Sequence, residues 1–153
     1  MANQVSLSDI RRYFDRDDWK YEVVDEARIR FGVKMNNASY KALVRFQPEK
    51  DLISLFIYYP FEVPENRRLE VAEVVTRMNY GLSFGWCEMD LKDGETRFRS
   101  FLAVDDAPFY PNQFKTILNT GFSTTDKYYP AFMGVLFGGK TPQAAIEEVE
   151  GTR

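Results

Sequence analysis

Between Arg28 and Tyr59 the chain alternates with period two, turns, alternates again, and then becomes apolar on both faces, a pattern that few folds accommodate. Ile29, Phe31, Val33 and Met35 alternate with Arg28, Arg30 and Lys34, and residues two apart in an extended chain share a face. Asn36-Asn37-Ala38-Ser39 supplies turn chemistry, after which Tyr40, Ala42, Val44 and Phe46 oppose Lys41 and Arg45. A second turn falls around Pro48 to Lys50. Leu52 to Tyr59 is apolar on both faces except at Ser54, as expected of a central strand or one covered on both sides. Short connections make these three strands an antiparallel meander.

Flanking segments switch to helical spacing. Ser6, with Asp9 three residues on, predicts a helix start, and Leu7, Ile10 and Phe14 form its apolar stripe, with Trp19 and Tyr21 leading out towards the meander. Pro60 and Pro64 are expected to break the sheet, and Pro64-Glu65 suits a helical first turn. Leu69, Ala72, Val75 and Met78, with Val71 and Val74 beside them, give that helix a broad apolar face. Phe84 to Leu91 and Glu95 to Val104 flank Asp93-Gly94, a hairpin dipeptide. Beyond Pro108, Phe114, Ile117 and Leu118 predict a helix ending at Gly121, with Ser123-Thr124-Thr125-Asp126 capping a new one. The expectation is a single α+β domain over residues 1–153, order α-β-β-β-α-β-β-α-α, with helices packed on one antiparallel five-stranded sheet. Arg28, Arg30, Lys34, Lys41, Arg45, Arg97 and Arg99 are expected to share its solvent face.

Composition narrows the chemistry. A formal charge of −3 without a long basic run argues against nucleic acid as a partner. The absence of a run of about 18 apolar residues argues against a membrane one. The opening Met-Ala-Asn-Gln-Val-Ser-Leu-Ser-Asp is unlike a signal peptide, so a cytoplasmic location is expected. One cysteine, Cys87, permits no internal disulfide and fits a reducing compartment. With no histidine, Ser-His-Asp and Cys-His catalysis is impossible and the usual neutral-pH base is missing. Asp15, Asp17 and Asp18, or Asp105 and Asp106, lack calcium-loop spacing. No catalytic, cofactor-binding or metal-ligating set is therefore assigned. The aromatic share is 16%, with 13 Phe and 9 Tyr, and such rings also serve interfaces. Tyr58, Tyr59 and Phe61, at a strand end beside two prolines, and Phe109-Tyr110, between Pro108 and Pro111, are the candidate partner-binding residues.

Gly134, four further residues, and Gly139-Lys140-Thr141 satisfy the phosphate-loop pattern, and Asp105 closes an apolar run that could hold magnesium-side water. A nucleotide-binding enzyme is thus one reading. Upstream, however, Tyr129, Phe132, Met133, Leu136 and Phe137 recur at helical spacing, whereas a phosphate loop follows a buried strand. Gly138-Gly139 suits a helix end, and Thr141-Pro142 suits the cap and first turn of the next helix, with Ala144, Ala145, Ile146 and Val149 along it. A helix–Gly-Gly–helix corner is the expected structure. Small-ligand sensing in a pocket under the sheet is a third reading.

The residues Met78-Asn79-Tyr80-Gly81-Leu82-Ser83-Phe84-Gly85, the following Glu88-Met89-Asp90 and the Asp93-Gly94 hairpin resemble the YbjN family of bacterial sensory transduction regulators. Arg97-Phe98-Arg99-Ser100, the Asp-x-x-x-Pro segment from Asp126 to Pro130, and Gly138-Gly139-Lys140-Thr141-Pro142-Gln143-Ala144-Ala145-Ile146 extend that resemblance over most of the chain. It implies a fold like that of type III secretion chaperones and a homodimer that binds other proteins, with no cofactor and no catalytic residue to transfer. By resemblance to the chaperone dimer, the helix expected over 64–80 is the self-association element, through Leu69, Ala72, Val75 and Met78. Secretion chaperones hold clients along apolar patches and sheet edges. The leading expectation is a non-enzymatic protein-binding or regulatory module.

Overall fold

Antiparallel pairing organises the chain. The computed structural model describes residues 5–151; the first four residues of the N-terminal segment unlike a signal peptide lie outside them. Its elements are α1 (Leu7–Arg16), β1 (Tyr21–Val23), β2 (Arg28–Lys34), β3 (Ser39–Gln47), β4 (Leu52–Glu62), α2 (Arg68–Asn79), β5 (Trp86–Met89), β6 (Glu95–Ala103), α3 (Pro111–Leu136) and α4 (Pro142–Glu150). The strands form one sheet in the order β1-β2-β3-β4-β6-β5, and each neighbouring pair is antiparallel.

The sheet has six strands rather than five. The additional strand, β1, pairs Tyr21 with Phe31 and Val23 with Ile29. At three residues it is too short for a period to show. Its turn is held locally, with the Asp25 carboxylate accepting the Ala27 N–H at 2.9 Å. Two further expectations change. Pro60 does not end its strand: β4 runs on to Glu62, because its pairing with β6 shifts between Tyr58 and Glu62. Proline is tolerated where a strand makes no ladder bond. Nor does a helix end at Gly121, since α3 is continuous for 26 residues through both Gly121 and Pro130.

Gly121 serves close approach instead. A Cβ there would lie 3.0 Å from Cδ1 of Ile57 and 3.3 Å from Cδ2 of Leu55, so the missing side chain lets α3 settle on β4. The core fills the space between this helix layer and one sheet face. Ile29, Val44, Ile53, Leu55, Ile57 and Phe98 are fully buried from the sheet side, and Ile10, Phe14, Phe114, Leu118 and Phe132 from the helices. Phe14 sits at the centre of one aromatic cluster, 5.0 Å from Phe31 and 5.8 Å from Phe114 between ring centroids.

The other sheet face carries the cations. Arg28, Arg30, Lys34, Lys41 and Arg45 are exposed, and Arg97 and Arg99 are half-buried. Both of the latter lie over the Phe56 ring, at 4.5 and 5.1 Å from its centroid, which buries an outward-facing phenylalanine beneath guanidinium groups.

Overpacking the α3–β4 contact has a measurable cost. Gly121→Val should lower the free energy of unfolding by about 1–3 kcal/mol, read as a fall in the urea midpoint with little change in m-value.

Candidate functional site

Pro130 lacks the N–H that would bond the carbonyl of residue i−4 in an α-helix, and its ring crowds that carbonyl. The residue is Asp126. Its displaced carbonyl oxygen accepts Nδ2 of Asn37 at 2.9 Å, from the turn between β2 and β3. The Asp126 side chain, buried in the same place, accepts the Asn37 backbone N–H at 3.0 Å and the Tyr40 hydroxyl at 2.8 Å. One residue back, the Thr125 carbonyl accepts the Tyr59 hydroxyl at 2.9 Å. Burial, reinforced by the hydrogen bond to Asp126, pushes the Tyr40 phenol far above its ordinary range; burial does the same to Tyr59. Both tyrosines therefore act as neutral donors. Since the folded-state pKa is the raised one, the stability tied to these phenols is complete below about pH 10 and falls as pH rises beyond it.

A second polar lock closes the sheet edge. Oδ1 of Asn79, at the end of α2, accepts the Cys87 N–H at 2.8 Å, and Nδ2 donates to the Cys87 carbonyl at 2.9 Å. Both main-chain groups that Cys87 offers to the outside of β5 are thus occupied, so this edge is not free for strand addition. Burial, followed by the nearby Glu88 charge, pushes the Cys87 thiol well above the usual thiol range, which makes it unreactive.

The C-terminal corner explains the Gly-Gly-Lys-Thr-Pro sequence. Gly134 lies inside α3, and its carbonyl accepts the N–H groups of Gly138 and Lys140, each at 3.0 Å. The Thr141 hydroxyl accepts the Ala144 N–H at 3.1 Å as the cap of α4, and the Lys140 ammonium pairs with Glu148. Arg67 donates to the Val135 and Leu136 carbonyls at the end of α3, where a cation complements the helix dipole. N–H groups that would cradle a phosphate are turned onto a carbonyl, the lysine and the hydroxyl are engaged, and a helix rather than a strand leads in. The expected helix corner is what forms here, in place of the alternative phosphate loop, and Asp105 falls in a turn after β6 at a left-handed φ of 35°.

What stays open is the cationic sheet face. A groove of about 770 Å³ runs across it, lined among others by Arg30, Lys41, Leu43, Tyr58, Glu62 and Glu95. Lys41 lies directly across from Tyr58 in the ladder, and Tyr58 across from Arg97. No cluster of three or more potential metal ligands occurs among the described residues, and none of the described helices is long and apolar enough to cross a membrane.

The profile of the family described as "YbjN: Putative bacterial sensory transduction regulator" matches residues 6–133. The chain belongs to the YbjN family. A crystal structure described as "YbjN, a putative transcription regulator from E. coli" superposes with a TM-score of 0.61 at 12% sequence identity, covering 82% of this chain and 90% of that one. At that identity the likeness is one of fold. No curated protein matches the sequence.

On this YbjN fold the candidate residues separate. Tyr58 is half-buried at the groove and Tyr110 is exposed, but Tyr59 is only 4% exposed, Phe61 packs towards the helices on Tyr59 and Phe132, each at 5.4 Å between ring centroids, and Phe109 packs on Phe114 at 5.7 Å. Tyr59 is thus a core donor. On α2, Leu69 is 82% exposed and Ala72 and Val75 are half-buried, whereas Met78 is completely buried with Val71 and Val74. Sequence reasoning missed Asn37 and Asp126, which look like turn and cap residues. The available signal was Pro130, four residues after Asp126 and within a helical pattern.

Asn37→Ala removes the donor to the freed carbonyl and is expected to cost about 0.5–1.5 kcal/mol, the net contribution of one partly exposed hydrogen bond, measured by chemical denaturation. Cys87 should resist Ellman's reagent in native buffer and react at once in denaturant; fast labelling of the folded protein would contradict its burial.

Proposed function

We propose that this YbjN-family chain is a non-enzymatic regulatory protein that works by binding another protein, as a homodimer in the cytoplasm, in the manner of a secretion chaperone. The family assignment supports the regulatory part. The observation that carries the binding part is the contrast between the two sheet faces. On the helix side Tyr40, Tyr59, Thr125 and Asp126 are engaged in holding the fold, while the outer face presents aromatic and apolar side chains beside cations along a groove sized for a ligand segment. Asn79 closes the β5 edge, which favours docking on the outer face, at Tyr58, over strand addition at that edge. Phe109 and Tyr110 lie outside the groove lining and belong to a second, smaller contact. For self-association, the surface of α2 offers Leu69, with Ala72 and Val75 beside it.

Two measurements test this reading. Light scattering coupled to gel filtration should give a dimer for the wild type and a monomer for Leu69→Glu; a monomeric wild type removes the homodimer, and a dimeric variant removes the α2 interface. Affinity capture from native lysate, with mass spectrometry, should yield a reproducible protein that Tyr58→Ala weakens by roughly tenfold, the loss expected of an aromatic interface anchor. If nothing is captured, protein binding gives way to small-ligand sensing.

A further inference from the structure

The outer-face groove has charge of opposite sign at its two ends, and neither end is neutralised by the protein itself. Lys41 makes no ion pair among the described residues, and Arg30 only a long, exposed one to Glu22 at 3.7 Å. Neighbouring cations are treated differently: Arg28 is paired with Asp25 at 2.6 Å and Arg97 with Glu88 at 2.6 Å. At the opposite end, Glu62 and Glu95 are directly across from each other in the β4–β6 ladder, an arrangement of like charges that destabilises a sheet. Neither has a cationic partner among the described residues. Lys41 faces Arg97 across Tyr58, and Glu95 is two residues further along β6, so Lys41 and Glu95 lie two strands and two residues apart. At about 4.8 Å between strands and about 3.3 Å per residue that diagonal is about 12 Å, close to four residues of extended chain. Between Lys41 and Glu95 lies Tyr58, with Arg97, already paired to Glu88, beside it, and Leu43 flanks the path next to Arg30.

We propose that this groove selects an extended peptide segment that is itself bipolar, with an acidic residue at the Arg30–Lys41 end, a basic residue about four positions away at the Glu62–Glu95 end, and an apolar residue over Tyr58. A uniformly acidic segment would meet Glu62 and Glu95, and a uniformly basic one would meet Arg30 and Lys41. Either carries a like-charge penalty that complementary ends avoid. Binding relieves the Glu62–Glu95 repulsion, which gives the bipolar segment an advantage beyond its own contacts. The inference rests on the protein-binding reading and specifies its partner's chemistry.

The test uses the full-length protein and three dye-labelled, end-blocked peptides in low-salt buffer, read by fluorescence anisotropy: Asp-Asp-Ala-Leu-Ala-Lys-Lys, an all-acidic version with Asp at both ends, and an all-basic version with Lys at both ends. Wild type should bind the bipolar peptide roughly tenfold or more tightly than the other two. Arg30→Glu/Lys41→Glu makes both ends acidic and should move the preference to the basic peptide. Glu62→Lys/Glu95→Lys should move it to the acidic one. All four side chains are exposed, and circular dichroism of each variant verifies the fold. A ranking that neither variant alters, or no binding of any peptide at millimolar protein, overturns the proposal. Capture of the same lysate protein by wild type and both variants would overturn it while leaving the protein-binding module intact. The expected peptide ranking without any captured protein would instead sustain the groove's selectivity and remove the protein-partner reading.

Discussion

A single missing hydrogen bond sets the arrangement around which the fold is built. Pro130 cannot satisfy the carbonyl of Asp126, and α3 nevertheless continues to Leu136. The vacated position is taken by Asn37 from the β2–β3 turn, and the adjoining Asp126 side chain gathers Tyr40 and the Asn37 main chain. Three distant pieces of chain are thereby fixed: the tip of the β2–β3 hairpin, the second half of the longest helix and, through Tyr59 and the Thr125 carbonyl, the far end of β4. A purely apolar contact at this junction would leave the helix free to slide. Directional bonds to one carbonyl and one side chain fix its register against the sheet.

That docking gives the sheet two unequal faces. Gly121 allows α3 to approach Leu55 and Ile57 closely, so the inner face is consumed by packing. The outer face keeps its polar stems, with Phe56 shielded by Arg97 and Arg99 rather than by a helix. Edge protection completes the picture: β5 is only four residues long and Asn79 occupies the outward main-chain groups of Cys87. The surface left open is therefore a charged and partly aromatic sheet face.

The helix corner near the C-terminus shows how local patterns mislead when context is left out. Gly134 to Thr141 matches a phosphate loop residue by residue, yet Lys140 pairs with Glu148 and Thr141 caps α4. The spacing of Tyr129, Phe132, Leu136 and Phe137 already marked the approach as helical, and that period was the more informative signal because it reports a whole buried face rather than a few positions.

The sequence by itself determined the elements whose period is long enough to repeat: β2, β3 and β4, the β5–β6 hairpin at Asp93-Gly94, the apolar stripes of α1 and α2, and the corner at Gly138-Gly139. It also determined the cationic outer face, since alternation assigns each strand residue to one side. Tertiary structure decided the rest. β1 is too short to alternate and exists because β2 offers it a ladder. Gly121 and Ser123 to Asp126 carry stop and cap chemistry, yet the helix continues through them because the sheet demands a close approach at Gly121 and distant side chains supply what Pro130 removes. Which apolar residues of α2 reach the surface, and which charges of the groove remain uncompensated, likewise depended on neighbours remote in sequence. Local propensity is a matter of fractions of a kcal/mol per residue, whereas burial and satisfied hydrogen bonds at a junction amount to several.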